Sequence, residues 1–353
     1  MSLRCKILTV VGARPQFIKA AAVGGPLRRR AQEILLHTGQ HYDAAMSDQF
    51  FRELGLPEPD HQLNVGSGSH GSQTARMMTG IEAAILAERP DRLLVYGDTN
   101  STLAGALVAA KLGVPIVHVE AGLRSFNRAM PEEVNRVVTD QLSDLLCCPG
   151  DQAAANLAAE GIVRGVSVTG DVMLDVLNRT RPHISASRVS CLGMTPGEYL
   201  LLTVHRAGNT DEPERLHGIL SAIAAATSRT VLFPVHPRTR AALHSMQTPS
   251  FGSIRMIDPV GYLDMLSLEQ HARLVMTDSG GVQKEAYWLG VPCVTLRDDT
   301  EWTETVDAGW NRLAGSDAAR IGSALNALPP SGRPALYGDG SAAEHIVDLV
   351  LSA

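Results

Sequence analysis

Short, mostly apolar runs of four or five residues recur through the first half of this chain, at 7–11, 34–37, 93–96, 116–119 and 145–148. A longer amphipathic stretch follows most of them, near 16–29, 73–88, 100–112, 132–142 and 151–160. No other feature restricts the fold as much. Runs that short and that uniformly apolar suit strands buried on both faces, as in parallel sheets. Strands alternating with helices predict an α/β doubly wound sheet.

The rhythm breaks at 178–196, which carries Pro182, Ser185, Ser187, Ser190 and Pro196 with weak periodicity. That composition reads as a link between domains. The pattern then restarts, with strands expected at 200–204, 231–235, 254–257, 274–277 and 293–296. Helices are expected near 213–226, 281–289, 317–327 and 342–351. A chain of 353 residues also exceeds one ordinary core. The expected domains are a Rossmann-like 1–178 and a second Rossmann-like 195–339, with the C-terminal helix 340–353 packing back on the first. Two Rossmann-like domains facing a cleft make the glycosyltransferase-B architecture, which does not by itself fix function.

Apolar residues make up 44% and charged residues 19%, with a formal net charge of -6. No global basic excess is available for nucleic acid. No apolar run approaches the roughly 20 residues that span a bilayer. The segment Met1-Ser2-Leu3-Arg4-Cys5-Lys6 lacks the regions of a signal peptide. The five cysteines are odd in number and form no CxxC pair. Reduced thiols in a cytoplasmic enzyme are the simplest reading, and no metal site is expected.

Polar runs sit just past the expected strands, where open α/β sheets bind ligands. Gly12-Ala13-Arg14-Pro15, with Lys19 one turn into the next helix, offers an anion backbone N–H groups and two cations. Gly97-Asp98-Thr99-Asn100-Ser101-Thr102 is longer than helix capping requires. In His118-Val119-Glu120-Ala121-Gly122-Leu123-Arg124 the period of two turns His118 and Glu120 to one side. A carboxylate ending a buried strand is costly unless paired or functional; Arg124 is the structural alternative as its partner. Pro131-Glu132-Glu133 opens a helix, where acids also simply suit the dipole, and Asn135-Arg136 follow to hold them. In the second half, His205-Arg206 and His236-Pro237 end strands at one topological level. Thr277-Asp278-Ser279-Gly280-Gly281 then opens a helix as a phosphate cradle, with Glu285 one turn in to accept from a ribose diol.

Together these runs resemble the UDP-N-acetylglucosamine 2-epimerase family of the non-hydrolysing bacterial type, over nearly the whole chain. The specific motifs are Gly-Ala-Arg-Pro-Gln-Phe-Ile-Lys at 12–19, His-Thr-Gly-Gln-His at 37–41, Tyr-Gly-Asp-Thr at 96–99, His-Val-Glu-Ala-Gly-Leu-Arg at 118–124, Pro-Glu-Glu-Val-Asn-Arg at 131–136 and Thr-Asp-Ser-Gly-Gly-Val-Gln at 277–283. The resemblance implies Asp98, Glu120, Glu132 and His205 as catalytic. It puts Arg14, Lys19, His205 and His236 near the substrate, Ser279, Gly280 and Gly281 on phosphate, and Glu285 on the ribose. It implies C2 inversion of a UDP-HexNAc without a redox cofactor, through UDP elimination to a 2-acetamidoglucal and re-addition. The implied setting is a cytoplasmic homodimer that serves cell-surface polysaccharide biosynthesis. Gln40 and His41 fit a second, allosteric sugar-nucleotide site.

The chain also departs from the family pattern. Ala207-Gly208-Asn209 follows His205-Arg206 where the family has an acid. Trp302 replaces an arginine, Met265 stands for an aromatic ring, and Ile81 falls where the allosteric site has an arginine. The stretch from His41 to His70 looks like a branch acting on UDP-2,3-diacetamido-2,3-dideoxy-glucuronate. Besides these two epimerase readings stand a hydrolysing relative that releases N-acetylmannosamine, a true glycosyltransferase, and a binding protein without turnover. Three acids plus a histidine exceed what the last two need.

Overall fold

A computed structural model describes residues 5–40, 55–245 and 251–352. The chain divides into two compact units. One runs to Asn178 and resumes at Tyr337; the other is Arg179–Leu336.

The first unit is built on β1 (Lys6–Val11), β2 (Gln32–His37), β3 (His61–Gln62), β4 (Arg92–Tyr96), β5 (Ile116–Val119), β6 (Leu145–Cys148) and β7 (Val166–Val168). Among the described residues these form one parallel sheet in the order β3-β2-β1-β4-β5-β6-β7. Leu8, Val10, Leu93 and Val95 are wholly buried against Met77, Ile81 and Ala104 of the covering helices His70–Glu88 and Asn100–Leu112. Ile81 is therefore core, so the family's arginine has no counterpart there. The helix Ala342–Ser352 completes this unit. Asp175 accepts from its Ala342 and Ala343 N–H groups at 3.1 and 2.7 Å, and Glu344 pairs with Arg29 at 2.6 Å.

The second unit repeats the plan with β8 (Leu200–Thr203), β9 (Val231–Pro234), β10 (Ile254–Ile257), β11 (Leu274–Thr277), β12 (Cys293–Thr295) and β13 (Asn311–Leu313), ordered β10-β9-β8-β11-β12-β13 among the described residues. Alternation along β8 shows why its run is unbroken. Leu200 and Leu202 enter one core with Phe233 and Met276, while Leu201 enters another with Leu232 and Val275. Both faces are covered, so both are apolar.

The sequence reading missed β3, β7 and β13, each only two or three residues long, as well as the helices Val172–Thr180, Pro237–Ser245 and Tyr262–His271. The stretch read as a link carries the helix Ala186–Cys191, whose Val189 is buried with Tyr199 and Leu268. Serines and a nearby proline disguised one apolar anchor.

In each sheet the order reverses direction between two neighbouring strands, β1 and β4 in the first and β8 and β11 in the second. Ligands gather at the carboxyl ends beside such switch points.

Candidate active site

In the first unit the turns after β1 and β4 are sewn together by Gln16. Its amide donates to the Tyr96 carbonyl and to Thr102 Oγ1, both at 2.9 Å, and accepts from the Gly12 and Ala13 N–H groups at 2.8 and 3.1 Å. Thr99 caps the helix Asn100–Leu112, so capping does not occupy Asp98. Asp98 is half-buried and ion-paired with Arg136, while its carbonyl accepts from Asn135 Nδ2 at 2.9 Å. Arg136 also reaches Glu133 at 3.0 Å. Glu133 is itself an anchor, accepting from Ser125 N and Oγ at 2.9 Å and from Phe126 N at 3.0 Å. Its neighbour Glu132 is different: half-buried, with no hydrogen bond or ion pair among the described residues.

Glu120 follows β5 with a φ of 70°, in the left-handed region. A non-glycine residue held there is strained, and such strain collects at functional sites. Its carboxylate pairs with Lys19, from the helix Arg14–Arg30; the two side chains are 10% and 9% exposed. Burial, the largest influence, lowers the Lys19 pKa, but Glu120, Asp98 and Asp171 reverse that and hold it above its ordinary value. Lys19 therefore stays charged. Arg124 is not the partner of Glu120: it binds Asp140 and Glu160, each at 2.7 Å. Nor does His118 share a side with Glu120. The strand ends at Val119, so the period of two no longer applies, and His118 is wholly buried against Asp140. Arg14 is exposed one helical turn away from Lys19. Gln40 is buried, its Oε1 accepting from Ser101 N and Oγ at 3.1 and 2.7 Å. His41 lies outside the described residues.

In the second unit Asp278 is the organiser that sequence reasoning overlooked. Fully buried, it accepts from the backbone N–H of His205 at 3.0 Å and of Arg206 at 2.9 Å, and from Asn209 Nδ2 at 3.1 Å. Those bonds fix the turn after β8 against the turn after β11. Asn209, from the departing Ala207-Gly208-Asn209 run, thus has a structural task. The ring of His205 lies 5.5 Å from that of the exposed His236.

Ser279 is the N-cap position of the helix Gly280–Leu289, without a side-chain cap bond. The first N–H groups of that helix are left for a ligand. Gly280 leaves little room: a Cβ there would stand 3.0 Å from Glu301 Oε1 and 3.1 Å from Trp302 Nε1, so those side chains would have to give way. Trp302 therefore borders the cradle, and the Lys284 ammonium sits 3.6 Å above its ring. Charge arrives at this position by way of a lysine four residues past Gly280, which the motif register did not reveal. Glu285, buried, accepts from the Tyr262 hydroxyl at 3.1 Å.

Glu269 was also missed. It is fully buried, and neither carboxyl oxygen has a hydrogen-bond partner among the described residues. Burial first, then the neighbouring Glu285, push its pKa well above the ordinary value. A carboxyl raised on folding contributes most below its unfolded pKa of about 4.3, and that contribution is lost as pH rises toward the folded value. Glu269→Gln should therefore flatten the pH dependence of the melting temperature and raise it more at pH 8 than at pH 5. Parallel melting curves for the two proteins across that range would refute this.

A sequence model of the family described as UDP-N-acetylglucosamine 2-epimerase matches residues 27–351. A "UDP-N-acetylglucosamine 2-epimerase homolog" of Methanococcus maripaludis is 49% identical over 98% of this chain and 99% of its own. The "UDP-2,3-diacetamido-2,3-dideoxy-D-glucuronate 2-epimerase" of Pseudomonas aeruginosa is 48% identical over 98% and 99%. The crystal structure of Methanocaldococcus jannaschii UDP-GlcNAc 2-epimerase in complex with UDP-GlcNAc and UDP is similar with a TM-score of 0.91 and 41% identity, over 99% of this chain and 100% of that one.

Proposed function

The chain belongs to the UDP-N-acetylglucosamine 2-epimerase family, a family of isomerases, and from that premise we propose how its residues invert C2 of a UDP-activated 2-acetamido sugar, UDP-GlcNAc giving UDP-ManNAc. The carrying observation is that three carboxylates follow β4 and β5 in three different environments. Glu120 is locked to Lys19, Asp98 is held by Arg136, and Glu132 is half-buried without a hydrogen bond or ion pair among the described residues. Groups differing that way can hold and release protons in turn.

C2–H is a weak acid, so its removal needs a positioned base in a site that excludes water. Glu120, held in place by Lys19, suits that task. Glu132 is suited to deliver a proton from the opposite side on re-addition. Asp98, paired with Arg136, favours the positive charge that gathers at the anomeric carbon as UDP departs. In the second unit His205, His236 and the N–H groups at Ser279-Gly280-Gly281 would take up the diphosphate's charge, and Glu285 the ribose hydroxyls; in the first unit Arg14 is the candidate cation for substrate. Lys19 then acts by holding Glu120 rather than by touching the diphosphate directly.

Turnover in D2O followed by NMR tests the reaction. Deuterium at C2 with UDP retained supports it; free sugar with released UDP would mean hydrolysis instead. The second reading is the same inversion on UDP-2,3-diacetamido-2,3-dideoxy-glucuronate. It is supported by the 48% identity to the enzyme of that name, which lies between the 49% and 44% to Methanococcus maripaludis proteins named a UDP-N-acetylglucosamine 2-epimerase homolog and a UDP-N-acetylglucosamine 2-epimerase. A panel of UDP-sugars separates the two. We propose in addition a cytoplasmic homodimer serving polysaccharide synthesis; light scattering tests the dimer. Gln40 and His41 remain candidates for an activating sugar-nucleotide site, tested by whether UDP-GlcNAc stimulates turnover of a slower substrate.

The phosphate cradle has its own test. Gly280→Val pushes a side chain onto Glu301 and Trp302, so the turn must open and its N–H groups lose their aim. UDP affinity by calorimetry should fall at least tenfold, with circular dichroism unchanged. Wild-type affinity would place the phosphate elsewhere.

A further inference from the structure

The buried His118, which the mechanism above does not use, lies beneath both acid-bearing turns of the first unit. Its Nδ1 is 2.7 Å from Asp140 Oδ1 and its Nε2 is 2.7 Å from the Gly97 carbonyl oxygen, and the side chain is fully buried. A carbonyl oxygen only accepts. A neutral imidazole has one donor and one bare nitrogen. It can serve Gly97 or Asp140, and would turn a lone pair on the other. Two acceptors at that distance call for two N–H groups.

The bonds around Asp140 agree. Asp140 already accepts from Arg124 Nη1 at 2.7 Å and from the Gly122 N–H at 3.1 Å, so its two oxygens act as acceptors on every side. A bare ring nitrogen 2.7 Å from Asp140 Oδ1 would set lone pair against lone pair in a site without solvent, which is costly. Protonating Asp140 instead would waste the carboxylate on which Arg124 and Gly122 converge. Burial acts against that carboxylate, but His118 and Arg124 hold its pKa below the ordinary value.

We infer that His118 is an imidazolium that positions Asp98 and Glu120 for the proposed reaction, a role resting on that reading. The ring bonds the carbonyl of Gly97, whose φ is 60° and whose N–H donates to the Val119 carbonyl at 2.9 Å. Asp98 is the next residue after Gly97. Glu120 is two residues after His118, in its strained left-handed conformation. One doubly bonded ring therefore fixes where both carboxylates leave their strands. A carboxylate displaced by about 1 Å costs on the order of 10² in rate, without loss of substrate binding.

Two measurements test this. In 15N-histidine NMR near neutral pH, His118, assigned by its absence in His118→Gln, should carry a proton on both nitrogens. A signal from a bare ring nitrogen overturns the imidazolium whatever the enzyme acts on. In kinetics, His118→Gln should lower kcat roughly 10- to 100-fold with KM and UDP affinity within about twofold, while wild-type kcat overturns the positioning role. Should His118→Gln not fold, Asp140→Asn serves, since an amide does not balance an imidazolium; kcat should drop similarly, and an unchanged kcat again overturns the role. Failure of the functional reading shows separately, as absent epimerisation by the unaltered protein.

Discussion

Glu132→Gln should lower kcat by a factor on the order of 10²–10⁴, the range for losing a general acid or base. Glutamine keeps the shape of the side chain and removes its proton transfer. The wild-type carboxylate is half-buried at the start of the helix Pro131–Leu142, without a hydrogen bond or ion pair among the described residues. No bond is broken by the change, so the melting temperature should hardly move. Glu133→Gln is the control. It loosens the bonds to Ser125, Phe126 and Arg136, so there the melting temperature should fall. If Glu132→Gln keeps near-wild-type turnover, the residue is only a helix-start acid and the proton must come from elsewhere.

Lys19→Met should be the most destabilising of these single changes. It leaves Glu120 almost fully buried without its counter-charge, and breaking a buried pair from one side typically costs about 3–5 kcal/mol. Urea unfolding should show that loss, with kcat falling as well because Glu120 would no longer be held in position by its partner. The double variant Lys19→Met, Glu120→Gln should recover much of the stability and none of the turnover. Were both single variants as stable as the double, the pair would contribute little, and the strained φ of Glu120 would need another support.

Much of this architecture was legible because its physics is local. Strands buried on both faces leave unbroken apolar runs, and the five expected in the first half and the five in the second all occur, within a residue or two. What escaped was short or non-local. Val166–Val168 is too brief to show a period. Ala186–Cys191 has one buried anchor, Val189, among serines. In the site, the motifs marked the carboxylates but not their partners. Lys19 reaches Glu120 across about a hundred residues of chain, and Asp278 holds the His205 turn across seventy-three. Spacing carries no trace of such pairs. The Glu120–Arg124 alternative failed for that reason: nearness in sequence was a poor guide once Asp140 and Glu160 were within reach of the guanidinium.

The helix Ala342–Ser352 seals the first unit, yet it is encoded after the whole of the second. On the ribosome, the first sheet is therefore made with its last covering element missing. At about 5–20 residues per second, that interval lasts roughly ten to thirty seconds, while 179–336 are still being added. During it, the Ala342 and Ala343 N–H groups that donate to Asp175 are not yet made, and Arg29 waits for Glu344. Nascent chains stalled before residue 342 should be cut by protease within the first unit, and released full-length chains should resist. The order of synthesis thus makes the tail a late lock, and holding factors have longest to act on the half that carries the acids.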